Sequence, residues 1–340
     1  IVNRSITNQP ADRLFFFCGS FILMALLVTT ATTVRASADV EKVLEGTAHR
    51  ALFASSFDGD RGIAVGAAGE IQVTEDGGKS WKQEPAPTPL SLTATAINGS
   101  KRLVAGITGI IFFDNGDGKW RPAESGTQER MFGASIDSKG NAIVVGAFGA
   151  MLRSTDGGKT WNDVAPDWMP IFAGSDQLTD DFAPSIYAVA INDRGVGLAV
   201  GELSTILRTE DAGATWHLAL GGPVSGAERP PALFSATLRT DGVGYAVGQS
   251  GRILQTPDYG KTWCEFNSGV DVNLLAVATQ PGGKTLISGM RVMLSSQDEG
   301  RNWTRIMGDE IDYAWYSGMS VAGNAFVTVG QSGDILRVTQ

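Results

Sequence analysis

Residues 247–263 read VGQSGRILQTPDYGKTW, and this stretch decides the fold because copies of it return along the chain. In this copy 15 residues separate the glycine that follows valine from the tryptophan. Three further copies keep that spacing: Gly66 to Trp81, Gly146 to Trp161 and Gly201 to Trp216. Two copies are one residue shorter, Gly106 to Trp120 and Gly289 to Trp303, and a seventh starts at Val329-Gly330 but has neither the aspartate nor the tryptophan.

Seven related units of short strands predict an all-β, seven-bladed β-propeller. Residues 39–340 allow about 43 residues per unit, within the range of propeller repeats. Each unit has room for four strands, including one early in the repeat such as Leu52 to Phe57. The seventh unit lacks its outer strand, so we expect residues Val40 to Leu44 to supply it and to close the ring. Closure removes sheet edges that invite aggregation.

The turn before the repeated tryptophan has the pattern S/T-x-D-x-G-x-S/T-W, known as the Asp box or BNR repeat. The turn before Trp120 is degenerate, and the turn before Trp303 keeps Ser296, Asp298 and Gly300. A short carboxylate can accept backbone N–H groups of its own turn, glycine tolerates positive φ, and tryptophan packs apolar surface. We therefore interpret these aspartates and tryptophans as structural. They are Asp76, Trp81, Asp156, Trp161, Asp211, Trp216, Asp258, Trp263, Asp298 and Trp303.

The N-terminal region indicates export. Leu14 to Val34 form a nearly uninterrupted apolar run, preceded by arginines and followed by the small-residue cleavage pattern Ala36-Ser37-Ala38. We predict a signal peptide at residues 1–38, with an uncleaved anchor helix as the alternative, and a periplasmic propeller at residues 39–340. In a photosynthetic source the thylakoid lumen would replace the periplasm.

Charge and residue types exclude several classes of function. The full chain has a net charge of −9, and residues 1–38 hold three basic and one acidic residue, so their removal makes it −11. Such a charge argues against nucleic acid as a partner. Cys264 would be the single cysteine left, which leaves no internal disulfide. His49 and His217 stand apart from other metal-ligating residues, so we expect no metal and no cofactor.

The full repeat, carried best by Gly248 to Trp263 and nearly as well by Gly146 to Trp161, resembles the photosystem II stability and assembly factor family. The resemblance extends over residues 45–340. It implies an exported, non-catalytic propeller that binds newly made membrane-protein subunits, and we expect it to act as a monomer. A second possibility is a periplasmic accessory protein of an exporter or envelope complex.

Asp boxes also occur in sialidases and other glycoside hydrolases, which form a third alternative. A sialidase needs an arginine cluster, a tyrosine nucleophile with a glutamate partner, and an acidic aspartate. Near the first Asp box only Arg50 and Arg61 are available, in no recognisable motif. Tyr313 and Tyr316 lie late enough for a nucleophile, but we expect them in the inner strand of the last blade.

Two features are candidates for binding. The same repeat position is occupied by arginine in three units, Arg153, Arg208 and Arg337, which could place them in one basic patch. The assembly factors that the chain resembles use an arginine patch to contact their client. The alternative is that these arginines form unrelated surface ion pairs. The interval from Trp161 to Trp216 is 55 residues and the next is 47, against 39 to 41 elsewhere, which marks two inserts. In the first insert, residues 166–182, Trp168 and Phe172 accompany several carboxylates and suggest a protein interface. The second insert covers residues 221–231.

Overall fold

The structure is a computed structural model that describes residues 38–226 and 228–340. The predicted signal segment lies outside the described residues except for Ala38. Among the described residues, no helix is long and apolar enough to span a lipid bilayer.

Seven four-stranded antiparallel sheets are arranged in a ring, so the predicted seven-bladed propeller is confirmed. The first strand of each blade packs against the first strands of both neighbours and therefore lies innermost. Strand β2, Leu52–Asp58, confirms the strand predicted near Leu52.

The blades follow one another along the chain. Blade 1 contains β2 (Leu52–Asp58), β3 (Arg61–Gly66), β4 (Ile71–Thr74) and β5 (Lys82–Gln83); blade 2 contains β6 (Leu92–Asn98), β7 (Lys101–Gly106), β8 (Ile111–Asp114) and β9 (Arg121–Ala123). Blade 3 contains β10 (Met131–Ile136), β11 (Ala142–Gly146), β12 (Met151–Ser154) and β13 (Asn162–Asp163); blade 4 contains β14 (Ile186–Ile191), β15 (Gly197–Gly201), β16 (Ile206–Thr209) and β17 (His217–Leu220). Blade 5 contains β18 (Leu233–Leu238), β19 (Gly244–Gly248), β20 (Ile253–Thr256) and β21 (Cys264–Phe266); blade 6 contains β22 (Leu274–Thr279), β23 (Thr285–Gly289), β24 (Met293–Ser296) and β25 (Thr304–Arg305). Blade 7 contains β26 (Tyr316–Ala322), β27 (Ala325–Gly330), β28 (Ile335–Thr339) and, from the other end of the chain, β1 (Asp39–Leu44).

Blade 7 joins the two ends of the described chain. β1 pairs antiparallel with β28, with Val40 opposite Val338 and Lys42 opposite Leu336. The backbone N–H of Gly46 donates to Asp334 Oδ1 at 3.0 Å, just beyond this pairing. The predicted closure of the ring by residues Val40 to Leu44 is therefore confirmed.

Two short α-helices and six 3-10 turns complete the part of the chain that the structure describes. Helix α1, Trp168–Phe172, lies in the first insert, and α2, Asp309–Asp312, precedes blade 7. Because β26 begins at Tyr316, residues 313–315 precede the inner strand in which we expected them. The 3-10 turns join the second and third strands of six blades: Ala67–Gly69, Ile107–Gly109, Ala147–Gly149, Glu202–Ser204, Gln249–Gly251 and Gln331–Gly333.

The propeller has two faces, which we name by the loops that they carry. Because neighbouring strands are antiparallel, the hairpins between first and second strands and the Asp boxes between third and fourth strands share one face, the hairpin face. The turns between second and third strands and the links from blade to blade share the opposite face, the connection face. A hydrogen bond from Gly77 N–H to Asp60 O, 2.9 Å, joins an Asp box to the hairpin beside it.

The hydrophobic core lies between blades. Each main cluster combines residues of two neighbours, for example Leu103 and Ile111 of blade 2 with Met131 and Val144 of blade 3. Alternate residues of a twisted strand face opposite neighbours, so every blade is packed on both sides.

Candidate functional site

The Asp boxes form compact turns held by the aspartate. In blade 1, Asp76 Oδ1 accepts the backbone N–H groups of Lys79 and Ser80 at 3.0 Å, and Oδ2 accepts the Ser80 hydroxyl at 2.6 Å. The tryptophan that follows, Trp81, donates its indole N–H to Gly78 O and meets Phe57 edge-on. The other four boxes repeat the contacts of the aspartate with the turn, at Asp156, Asp211, Asp258 and Asp298.

These contacts keep the carboxylates charged. The Ser80 hydroxyl and backbone N–H hold the pKa of Asp76 well below its usual range. At Asp156 burial raises the pKa, but hydrogen bonds from Thr160 and Ser154 outweigh burial and lower it to about 2. A general acid must hold a proton near neutral pH, and these two groups do not.

The three arginines at equivalent repeat positions hold neighbouring blades together. Arg153 Nε donates to Ala212 O at 2.8 Å, Arg208 Nε to Tyr259 O at 2.6 Å, and Arg337 Nε to Gly77 O at 3.2 Å. Each acceptor is the carbonyl between the aspartate and the glycine of the next blade's Asp box. Gln255 makes the same contact with Glu299 O, 2.8 Å.

These side chains lie on third strands beside the Asp boxes, near the hairpin face, and each is half-buried between blades. Each of the three arginines thus makes the same hydrogen bond to the Asp box of the next blade. Their use as a patch for a partner stays a prediction.

Replacing Arg153 tests the contact between blades. Arg153→Met should lower the free energy of unfolding by about 1–2 kcal/mol, because the Ala212 carbonyl loses its donor. Arg153→Gln should retain most of the stability, since Gln255 makes the equivalent bond. Denaturant titration followed by tryptophan fluorescence measures both. Exposed Arg229 provides a control, and equal losses for Arg153→Met and Arg229→Met would contradict the role.

The first insert lies on the connection face, between blades 3 and 4. Trp168 is half-buried, whereas Phe172 is only 5% exposed and packs with Leu203 and Val224. The ring of Phe172 also meets Phe182 edge-on, with centroids 5.2 Å apart. Phe172 therefore anchors the insert, and the structure does not bring Trp168 or Phe172 together with the three arginines.

Exposed large hydrophobic side chains collect on the connection face. Eight such side chains are exposed among the described residues, and all but Leu218 lie on blade-to-blade links or on turns between second and third strands. The seven are Leu90, Phe148, Met169, Val272, Met290, Met307 and Tyr313. Exposed apolar surface concentrated in one region is typical of interaction sites.

The central channel opens on the same face with an aromatic rim. In the first strand of every blade, the second residue lies at a β-bulge. These seven residues surround the mouth of the channel: Phe53, Thr93, Phe132, Tyr187, Phe234, Leu275 and Ser317. The Tyr187 ring lies 5.3 Å from that of Phe132 and 5.5 Å from that of Phe234, between centroids. Sequence reasoning missed this rim, although an aromatic residue after the first apolar residue of successive units was a usable signal.

The residues considered for glycoside hydrolysis are separated. Arg50 precedes β2 at the connection face and pairs with Glu70, 2.9 Å, whereas Arg61 begins β3 at the hairpin face and donates to Gly99 O. Tyr316 is buried, donates its hydroxyl to Glu310 O at 2.9 Å, and has its pKa raised by burial. Tyr313 is 75% exposed. The sequence candidates therefore do not form the arginine and tyrosine arrangement that a sialidase needs.

One tyrosine and glutamate do meet at the channel rim. The Tyr187 hydroxyl lies 3.4 Å from Glu202 Oε1, and Glu202 Oε2 accepts the Ser185 backbone N–H at 2.8 Å. Burial, together with the negative charge of Glu202, raises the pKa of Tyr187. Within residues 38–226 and 228–340, no group of three His, Cys, Asp or Glu side chains could hold a metal ion.

Comparisons with known proteins agree with this architecture. The BNR/Asp-box repeat family model matches residues 152–163, in blade 3. No curated protein sequence is significantly similar to the chain.

Solved structures extend the likeness to most of the chain. A structure described as YCF48 bound to D1 peptide has a TM-score of 0.66 and 18% identity, covering 92% of this chain and 100% of that one. YCF48 from Cyanidioschyzon merolae has a TM-score of 0.68 and 17% identity, covering 88% of this chain and 98% of that one. The GH74 xyloglucanase from Xanthomonas campestris has a TM-score of 0.65 and 16% identity, covering 87% of this chain but 53% of the enzyme. The resemblance to the photosystem II assembly factor YCF48 is thus confirmed in the fold, and the same architecture also occurs in a glycoside hydrolase.

Proposed function

We propose that this protein is a non-catalytic binding scaffold that holds a segment of a membrane-protein subunit against its connection face during assembly. The observation that carries the proposal is the placement on that face of seven of the eight large hydrophobic side chains that are exposed in residues 38–226 and 228–340. An unassembled membrane subunit presents apolar segments that need cover, and exposed apolar side chains on one face can contact them.

The aromatic rim of the channel also supports the connection face as the binding surface. Its rings are half-buried and lie at β-bulges, which are common where a sheet edge redirects side chains toward a site. Large aromatic side chains contribute much of the energy of protein interfaces. The D1 peptide bound to YCF48 is a precedent, in that similar fold, for a polypeptide ligand.

We place this activity outside the cytoplasm, in the periplasm or in a thylakoid lumen, because the sequence predicts an export signal at residues 1–38. Binding would be stoichiometric, since the proposed site holds a segment of chain and performs no turnover. The client is either a photosystem subunit or a subunit of an exporter or envelope complex. Both clients would use the same face.

A face-specific retention assay tests the proposal. Immobilised protein would be incubated with detergent-solubilised membrane proteins of the source, and bound subunits identified by mass spectrometry. Met307→Asp/Tyr313→Asp should lower retention about tenfold or more, because two exposed apolar contacts gain charge. The matched control, Ser100→Asp/Thr240→Asp, adds the same charges on the hairpin face and should bind as the wild type does.

The outcome also identifies the client. Photosystem subunits among the retained proteins would support an assembly factor, and exporter or envelope subunits would support the accessory role. Equal retention by both double variants would contradict binding through the part of the connection face that carries Met307 and Tyr313. Hydrolysis of xyloglucan or of sialosides by the purified protein would show an enzyme instead of a scaffold.

A further inference from the structure

We propose that the cleft at the end of blade 3, between the link from blade 2 and the first insert, is the part of the connection face that binds a cationic, amphipathic polypeptide segment. The inference rests on the proposed function and adds to it the chemistry of the ligand. The cleft has a volume of about 950 Å³, and its walls are the first insert, the turn that joins β11 to β12 and the link between β9 and β10. A cleft of this size accommodates a short stretch of polypeptide.

The apolar part of the cleft includes two side chains that are largely exposed to solvent, Phe148 and Met169. Phe148, in the middle of the 3-10 turn Ala147–Gly149, is 73% exposed and has a φ of 50°. The middle residue of each of the other five 3-10 turns of the described chain is left-handed too, so the feature that distinguishes Phe148 is its exposed aromatic ring. Met169 of the first insert, 62% exposed, and Trp168 also line the cleft.

The polar part of the cleft is acidic. Glu129, Asp163, Asp167, Asp180 and Asp181 line it, and none of the lining residues in the described chain is Lys, Arg or His. Carboxylates beside exposed apolar rings select a ligand that carries cationic groups next to large apolar side chains. The same carboxylates repel anionic lipid headgroups and nucleic-acid phosphates.

Some of these carboxylates accept hydrogen bonds from the backbone of the insert, and others have no partner in the described chain. Asp163 accepts the Ala165 N–H at 2.9 Å, and Asp167 accepts the Met169 N–H at 3.2 Å, which begins helix α1. Asp180 and Asp181 have no hydrogen-bond or ion-pair partner among the described residues. These two carboxylates can therefore be neutralised without breaking a contact of the fold.

The wall formed by the first insert is held in place by the second insert. Ser175 Oγ accepts the Val224 N–H at 3.0 Å, and the Asp176 N–H donates to Val224 O at 3.2 Å. Together with buried Phe172, these bonds fix the wall before any ligand arrives. A pre-organised wall lowers the entropy cost of binding.

Two synthetic peptides of matched shape test the assignment. One is an amphipathic helix of Leu and Lys, about 14 residues or four turns long, and the other has Glu in place of Lys. Fluorescence anisotropy with the purified protein should show binding of the Lys peptide at least tenfold tighter than of the Glu peptide, and raising the ionic strength should reduce that preference.

Variants locate the site. Asp180→Asn/Asp181→Asn and Phe148→Asn should each weaken binding of the Lys peptide about tenfold, because they remove charge and an aromatic contact respectively. Asparagine suits position 148 because it tolerates left-handed backbone. The matched control Asp60→Asn/Glu75→Gln removes two exposed carboxylates from the hairpin face and should bind like the wild type.

Equal affinity for the two peptides, or unchanged affinity in the Asp180/Asp181 and Phe148 variants, would overturn the cleft assignment. The proposed function would survive that result if retention of membrane subunits still depended on Met307 and Tyr313. The cleft variants could instead lose the Lys peptide while Met307→Asp/Tyr313→Asp still retains every subunit. That result would support the cleft as a binding site and would contradict a role of Met307 and Tyr313 in binding subunits.

Discussion

Deleting residues 39–44 should lower the free energy of unfolding by about 3 kcal/mol or more, because it removes the outer strand of blade 7 and its packing. Val40, Val43 and Leu44 pack against the clusters of buried residues beside blade 7, and β28 would be left with an unpaired edge. An exposed edge of this kind pairs readily with other chains, so the deletion should also promote aggregation.

Urea titration and size-exclusion chromatography measure the two effects. Val40→Asp is the milder test, since it keeps the strand but places a charge at a partly buried position. Glu41→Gln, at an exposed position of the same strand, is the control and should change stability by no more than about 0.5 kcal/mol. A deletion variant that is as stable as the wild type and aggregates no more than it does would show that β1 does not close the ring.

Gly248→Ala should destabilise the propeller by about 3 kcal/mol or more through a collision with the backbone. A Cβ built at Gly248 would lie 2.0 Å from the carbonyl oxygen of Ala232. That oxygen is fixed, since it accepts the Gln249 N–H at 2.9 Å. The strain is not conformational, because φ at Gly248 is −166°, which any residue can adopt.

The same contact recurs in every blade, so the prediction extends to the whole repeat. The glycine that ends each second strand would place a Cβ 2.0–2.4 Å from a backbone oxygen of the preceding connection: Gly66, Gly106, Gly146, Gly201, Gly248, Gly289 and Gly330. Gly308→Ala is the matched control, since its nearest neighbour is a Glu310 carboxylate oxygen at 3.8 Å and its backbone is extended. Similar melting temperatures for Gly248→Ala and Gly308→Ala would contradict the steric explanation.

Sequence reasoning was strongest where a signal is local and repeated. The spacing from Gly248 to Trp263 and its copies predicted the number of blades, and the missing outer strand of the last unit predicted the role of residues Val40 to Leu44. Both depend on short-range turn chemistry and on a count of units, which a linear sequence contains in full.

The surroundings of the predicted binding residues were harder to predict, because exposure is a property of the assembled ring. Phe172 belongs to an insert that has the composition of an interface, yet it is buried against Leu203 and Val224, which lie in other segments of the chain. Arg153 occupies a repeated position that suggested a patch, but its contact is a carbonyl 59 residues away in the next blade.

The sequence by itself determined the repeat, the turns at the Asp boxes and the closing strand, since these follow from residues close together in the chain or from counting its units. Only the tertiary structure decided which side chains reach solvent. Antiparallel blades direct the blade-to-blade links and the turns between second and third strands to one face. Phe148 is therefore exposed on the same face as Met307 and Tyr313, although it is far from both in sequence.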